Sequence, residues 1–116
     1  MKAIIVEDEF LAAMHAETAL EDLGLQVVGI AEDTASAMAL AARNPQIALV
    51  DLNLRDGFTG PAVATRLESA GVRVIFLTAN PRELDGSNVS SPVLEKPLEE
   101  HKLAQVLNLG LPKATN

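Results

Sequence analysis

The chain reads as an α/β protein, a doubly wound sheet of five parallel strands, and three observations carry that reading. Five short apolar runs alternate with stretches of helical period along the chain. The runs are continuous rather than alternating in polarity, as strands buried on both faces require. Strict alternation of strand and helix imposes right-handed parallel crossovers, which place helices on both sides of the sheet.

The first strand is Ala3-Ile4-Ile5-Val6, followed by a helix from Glu9 to Leu23 with few breakers. Ala12, His15, Ala16, Ala19 and Leu23 mark its expected buried stripe, and Gly24 stands where a C-terminal cap belongs. Gln26 to Ile30 is the second strand, and Thr34 to Arg43 an alanine-rich helix stopped by Asn44-Pro45. The third strand, Ile47-Ala48-Leu49-Val50, runs into Asp51 and the polar loop Asn53-Leu54-Arg55-Asp56-Gly57. A helix then spans about Gly60 to Gly71, with Thr59 as its cap and Pro61 in the first turn.

Val74-Ile75-Phe76-Leu77-Thr78 is the fourth strand. After it, Asn80-Pro81 starts a turn, Arg82 to Asp85 gives about one helical turn, and Gly86 with the Ser87–Pro92 cluster disfavours more, so the fourth helix is short. Val93-Leu94-Glu95 is the fifth strand. The last helix runs from Glu99 to Leu109, its buried stripe Leu103, Val106 and Leu107 and its acidic first turn suited to the helix dipole. One domain over 1–110 and a frayed tail over 111–116 follow.

Composition narrows the function. At 116 residues the length suits a single domain, and 48% apolar residues suffice for its core. A net charge of -7 argues against nucleic acid and against anionic membrane surfaces, both of which need clustered Lys and Arg. The absence of cysteine excludes disulfides, thiolate metal sites and thiol nucleophiles. The first apolar run is far too short for a signal peptide or a membrane span, so a cytoplasmic protein is expected.

Chemistry is concentrated at strand ends. Glu7-Asp8-Glu9 follows the first strand and Asp51 the third, and open parallel sheets place ligands outside the carboxyl ends of their strands. Carboxylates gathered there repel one another and stay ionised most easily around a divalent cation, here magnesium. Thr78 ends the fourth strand with a hydroxyl, and Lys96-Pro97 follows the fifth with an ammonium group.

The acidic pair Glu7-Asp8, Asp51, Thr78-Ala79 and Lys96-Pro97, in this order and each at a strand end, resemble the receiver domains of response regulators in bacterial two-component signalling. The resemblance spans almost the whole chain. It implies a flavodoxin-like sheet of order 2-1-3-4-5 and a phosphoacceptor at Asp51 that attacks the phosphohistidine of a sensor histidine kinase or phosphotransfer protein. It also implies a magnesium site formed by Asp8, Asp51, the Asn53 backbone carbonyl and Glu7, the last through water, with Thr78 and Lys96 each facing a phosphoryl oxygen. A cis Lys96-Pro97 bond and a role for Asn53 and Asn80 in the phosphoryl group's lifetime belong to the same implication; as plain loop residues the two asparagines would instead cap turns.

Such a chain is a switch that phosphorylates and dephosphorylates itself, rather than a turnover enzyme, and that presents a changed surface to a downstream protein. Because Met1 opens the first strand, a stand-alone receiver is expected ahead of a module of a longer regulator or hybrid kinase. A phosphatase on a similar sheet would want a second Asp where Asn53 stands, and a pseudo-receiver binding partners without phosphorylation would not need the complete site. Glu9 reads as an exposed first-turn acid, His15 as a packed histidine and His101 as an exposed one, with no third ligand for zinc. Receivers commonly carry an aromatic three places before the site lysine; here that residue is Val93, so ordering of the segment from Asn80 to Ser91 is expected to carry the output instead.

Overall fold

The structure is a computed structural model and describes residues 1–87 and 89–109. Strands β1 (Lys2–Val6), β2 (Gln26–Ala31), β3 (Ile47–Val50), β4 (Arg73–Thr78) and β5 (Val93–Glu95) form one parallel sheet of order β2-β1-β3-β4-β5. Helices α1 (Phe10–Asp22), α2 (Thr34–Ala41), α3 (Gly60–Ser69) and α4 (Glu100–Val106) fill the connections. Between β4 and β5 the described residues hold a single 3₁₀ turn, Pro81–Leu84, as the breakers there demand. The domain end at 110 and the tail 111–116 lie outside the described residues.

The continuous apolar runs work because alternate residues feed opposite cores. Ile5, Leu49, Ile75 and Leu77 face α1 and α4, where Ala13, Ala16, Leu20, Leu103 and Leu107 meet them. Ile4, Val6, Val50, Val74 and Phe76 face α2 and α3, against Ala37, Val63, Ala64 and Leu67. The central strands β1, β3 and β4 are buried on both faces, and the edge strands β2 and β5 are not. Gly24 and Gly71 end α1 and α3 at φ +91° and +87°, the left-handed cap that glycine adopts without a Cβ penalty.

Three local expectations are corrected. The buried face of α1 is Ala13, Ala16, Ala19 and Leu20. Ala12 and Leu23 are half-buried, and His15 is exposed rather than packed. Apolar residues run all round the first turns of this helix, so its period does not single out one stripe, and Phe10, Leu11 and Met14 are left in solvent. Thr59 sits at the start of α3 without capping it, because its hydroxyl donates to Asp56 Oδ1 at 2.6 Å. Finally α4 is a turn shorter than expected, Glu100–Val106 against Glu99 to Leu109.

Candidate functional site

Register places the acids. Val6 pairs with Val50 across β1 and β3, so Glu7 and Asp51 leave the sheet side by side. The ladder holds them there, with Glu7 N–H donating to Ala31 O at 2.8 Å and Asp51 N–H to Val6 O at 2.9 Å. On the other side Thr78 pairs with Glu95, and Lys96 N–H donates to Thr78 O at 2.8 Å. The sheet thus delivers acid, acid, hydroxyl and ammonium to one edge.

There the side chains meet. Lys96 Nζ lies 2.6 Å from Glu7 Oε1 and donates to Asp51 Oδ2 at 3.1 Å. Glu7 and Asp51 are buried, 4% and 8% exposed, whereas Asp8 is open to solvent. The Lys96 ammonium is the ionic partner of Glu7 Oε1, a buried oxygen with no other partner among the described residues. Its partner Oε2 accepts from Glu9 N–H at 3.1 Å. Burial pushes the Glu7 carboxyl up to about 7, with the Asp51 charge adding to the rise and Lys96 and the Glu9 amide opposing it. Burial pulls Lys96 down, but its contacts with Glu7 and Asp51 outweigh that and hold it above its ordinary value.

Glu7, Asp8 and Asp51 each offer a carboxylate oxygen, all within 4.8 Å of one another. Three hard oxygen donors fit a magnesium-type cation and not a soft metal. The histidines stand apart: His15 Nε2 bonds Leu98 O at 2.9 Å, and exposed His101 faces Glu99. Glu9 is exposed at the start of α1, as expected.

Thr78 is buried and its Oγ1 accepts from Asn80 N–H at 3.1 Å. The peptide bond Lys96-Pro97 is cis. Asn53 is exposed and its Nδ2 donates to the Glu83 carboxylate, at 3.0 Å to Oε1 and 3.3 Å to Oε2. Asn80 Oδ1 accepts from Arg82 N–H at 3.2 Å, capping the 3₁₀ turn.

Sequence reasoning missed what holds the Asp51 loop. Arg55 pairs with Glu32 at 2.8 Å and Asp33 at 2.6 Å, tying the loop after β3 to the one after β2. Asp33 also caps α2 through a reciprocal pair of bonds with Ser36, and Ser36 with Arg55 lowers its carboxyl to about 2. Gly60 is the other missed residue. A Cβ there would lie 2.0 Å from Asp51 O and 2.6 Å from Leu52 Cα, so only glycine lets α3 start against the phosphoacceptor candidate's own backbone. The Asp33–Ser36 spacing was a legible signal; the pairing of Arg55 across twenty residues and the approach at Gly60 were not.

A 2-1-3-4-5 parallel sheet with carboxylates from two central strands converging on a lysine from an edge strand defines a receiver-type domain. The chain belongs to the response regulator receiver domain family, whose model matches residues 3–108. It is 34% identical over 113 residues to the phyllosphere-induced regulator PhyR of Methylorubrum extorquens, covering 93% of this chain and 42% of that protein. The chain therefore spans less than half the length of that curated relative. Among solved structures, the receiver domain of Erythrobacter litoralis PhyR is 30% identical with a TM-score of 0.81, over 98% of this chain and 95% of that one. SdrG from Sphingomonas melonis Fr1 is 33% identical with a TM-score of 0.80, over 93% of both chains, and a BeF3-activated conformation of SdrG superposes with a TM-score of 0.78.

Proposed function

We propose that this receiver accepts a phosphoryl group on Asp51 from the phosphohistidine of a sensor histidine kinase or phosphotransfer protein, with Mg²⁺ as cofactor, and thereby switches its binding to a downstream protein. The observation that carries the reading is the Lys96 ammonium set between Glu7 and Asp51, beside an exposed Asp8, at the sheet edge where Thr78 also ends. A BeF3-activated conformation of SdrG adds support, since a tetrahedral beryllium fluoride has the shape and charge of a phosphoryl group.

An Asp51 oxygen attacks phosphorus as the phosphorus–nitrogen bond breaks, leaving its electron pair on the imidazole. An ionised carboxylate needs no separate base for this. Lys96 moves its ammonium from the carboxylates to one phosphoryl oxygen, and the Thr78 hydroxyl donates to another, so both oppose charge developing on the transferring group. Asp8, Asp51 and the Asn53 carbonyl would hold the cation directly and Glu7 through water. When bound, Mg²⁺ supplies positive charge against the phosphoryl oxygens. A cytoplasmic location goes with a kinase partner of this kind; among the described residues no helix is long and apolar enough to cross a membrane.

The test is intact mass after incubation with Mg²⁺ and a small phosphodonor. One phosphoryl group should be gained by the wild type and none by Asp51→Asn. Failure of the wild type to gain it, or a gain that persists in Asp51→Asn, overturns the assignment.

A further inference from the structure

Both carboxamides near the site are taken up by one short turn. Asn80 caps the 3₁₀ turn Pro81–Leu84 through Arg82 N–H, and its own N–H is bonded to the Thr78 hydroxyl oxygen. Asn53, two residues past Asp51, gives its amide to Glu83 in the middle of that same turn. A carboxylate has no proton to donate at neutral pH, so the group facing Glu83 is the Asn53 N–H₂ and not its oxygen. The contact is charge-assisted, and it joins the loop that follows the phosphoacceptor candidate to the segment that follows Thr78.

From this geometry, and resting on the phosphotransfer reading above, we infer that Glu83 is a positioning residue that sets the lifetime of the phosphoryl group by holding the Asn53 amide. Loss of the phosphoryl group requires water to attack phosphorus and break its bond to the Asp51 oxygen; the carboxylate is restored and inorganic phosphate leaves with both protons of the water. A carboxamide two residues from the acyl phosphate is within the same loop and able to orient that water, its N–H₂ donating to the water oxygen. While Glu83 engages it, the Asn53 amide is withheld from that task. A partner that displaced the turn Pro81–Leu84 would release the amide and shorten the signal. Glu83 never touches the reacting atoms; it acts through Asn53.

Charge and latch are separable by substitution. Glu83→Gln is neutral but keeps a carbonyl oxygen that accepts from Asn53, whereas Glu83→Ala is neutral and accepts nothing. After phosphorylation by a small phosphodonor and its removal, phosphoryl decay is followed by intact mass. Glu83→Ala should shorten the lifetime about three- to tenfold, the scale of one exposed charge-assisted hydrogen bond, while Glu83→Gln stays near wild type. In an Asn53→Ala background the Glu83→Ala change should have no further effect. In the unphosphorylated protein the Asn53 side-chain amide resonance should move in Glu83→Ala and return in Glu83→Gln.

Equal lifetimes for the Ala and Gln variants, or an undiminished Glu83→Ala effect in the Asn53→Ala background, would overturn lifetime control while leaving phosphoryl transfer standing. No phosphoryl uptake by the wild type, with the resonance responding as stated, would overturn the transfer reaction and the control with it.

Discussion

Replacing Glu7 by Gln should stabilise the metal-free protein at neutral and alkaline pH. The Glu7 carboxyl is lifted from its ordinary 4.5 to about 7 in the fold, chiefly by burial, with Asp51 adding to the rise and the opposing pull of Lys96 already included in that net value. A folded value above the unfolded one means that the native state takes up a proton through this window. The associated stability is complete below the unfolded value and is lost as pH rises through about 7. At about 1.4 kcal/mol per tenfold, the gap corresponds to a loss of about 3 kcal/mol. Gln is neutral throughout, so the variant should match the wild type within about 1 kcal/mol near pH 5 and exceed it by about 2–3 kcal/mol near pH 8. With no Trp or Tyr in the chain, urea unfolding in chelator is best followed by far-ultraviolet circular dichroism. Adding Mg²⁺ should close the gap from the wild-type side, since a bound cation favours the ionised carboxylate. Parallel pH profiles for the two proteins, or a variant less stable than wild type near pH 8, would refute the picture of Glu7 as a carboxylate held under strain for a cation.

Asp8 is exposed, so Asp8→Ala should leave unfolding within about 0.5 kcal/mol of wild type while removing the specific heat of Mg²⁺ titration; wild-type affinity would refute Asp8 as a ligand. Gly60→Ala gains about 1 kcal/mol of helix propensity, but its methyl would meet the Asp51 carbonyl, an atom of the backbone that cannot rotate away. Overpacking of about 1–3 kcal/mol should win, giving a net loss of up to about 2 kcal/mol in urea and slower phosphoryl uptake, and an unchanged midpoint would show that α3 can back off freely. Amide exchange with and without a phosphoryl mimic should show protection gained between Asn80 and Ser91, and unchanged exchange there would remove this segment as the output.

The fold was legible because its determinants are local. The continuous apolar runs in β1, β3 and β4 are too short for buried helices and rich in β-branched residues, so they read as strands buried twice, and each is followed by residues that stop a strand. The same logic placed the candidate site's residues, because a strand end is a position in sequence as well as in space, and Asp51, Thr78 and Lys96 each stand at one. The 3₁₀ turn was readable from Asn80-Pro81 and Gly86 for a similar reason. What stayed hidden depends on distances across the chain. Arg55 could be read only as a loop cation, and its clamp on Asp33 exists because two loops are brought together by β1 lying between β2 and β3. On α1 the period found Ala16 and Ala19 but not the rest of the face, since a run such as Phe10-Leu11-Ala12-Ala13-Met14 offers every face to the core and packing alone decided for Ala13.

The apolar residues that packing left behind raise a point about how the molecule divides its labour. Phe10 and Leu11 are about three-quarters exposed, at 73% and 75%, and they open the helix that begins directly after the acidic cluster. Two such residues side by side are apolar area available for contact, and small enough to stay in water. On the opposite flank of the site, the turn Pro81–Leu84 buries no residue fully; it rests on the core through half-buried Leu84 and is otherwise held by polar side-chain bonds, from Asn53 to Glu83 and within the Asn80 cap. Such a turn has little apolar area to lose and moves at small energetic cost, as a responsive element must. The rigid β1–β3 register thus fixes the carboxylates, the α1 side offers apolar contact area beside them, and the weakly packed side is the one able to change. On the proposed phosphotransfer reading, reaction geometry and conformational response fall to different flanks of one sheet edge, so stiffening the Pro81–Leu84 turn should alter the lifetime of the phosphoryl group more than the rate of its uptake.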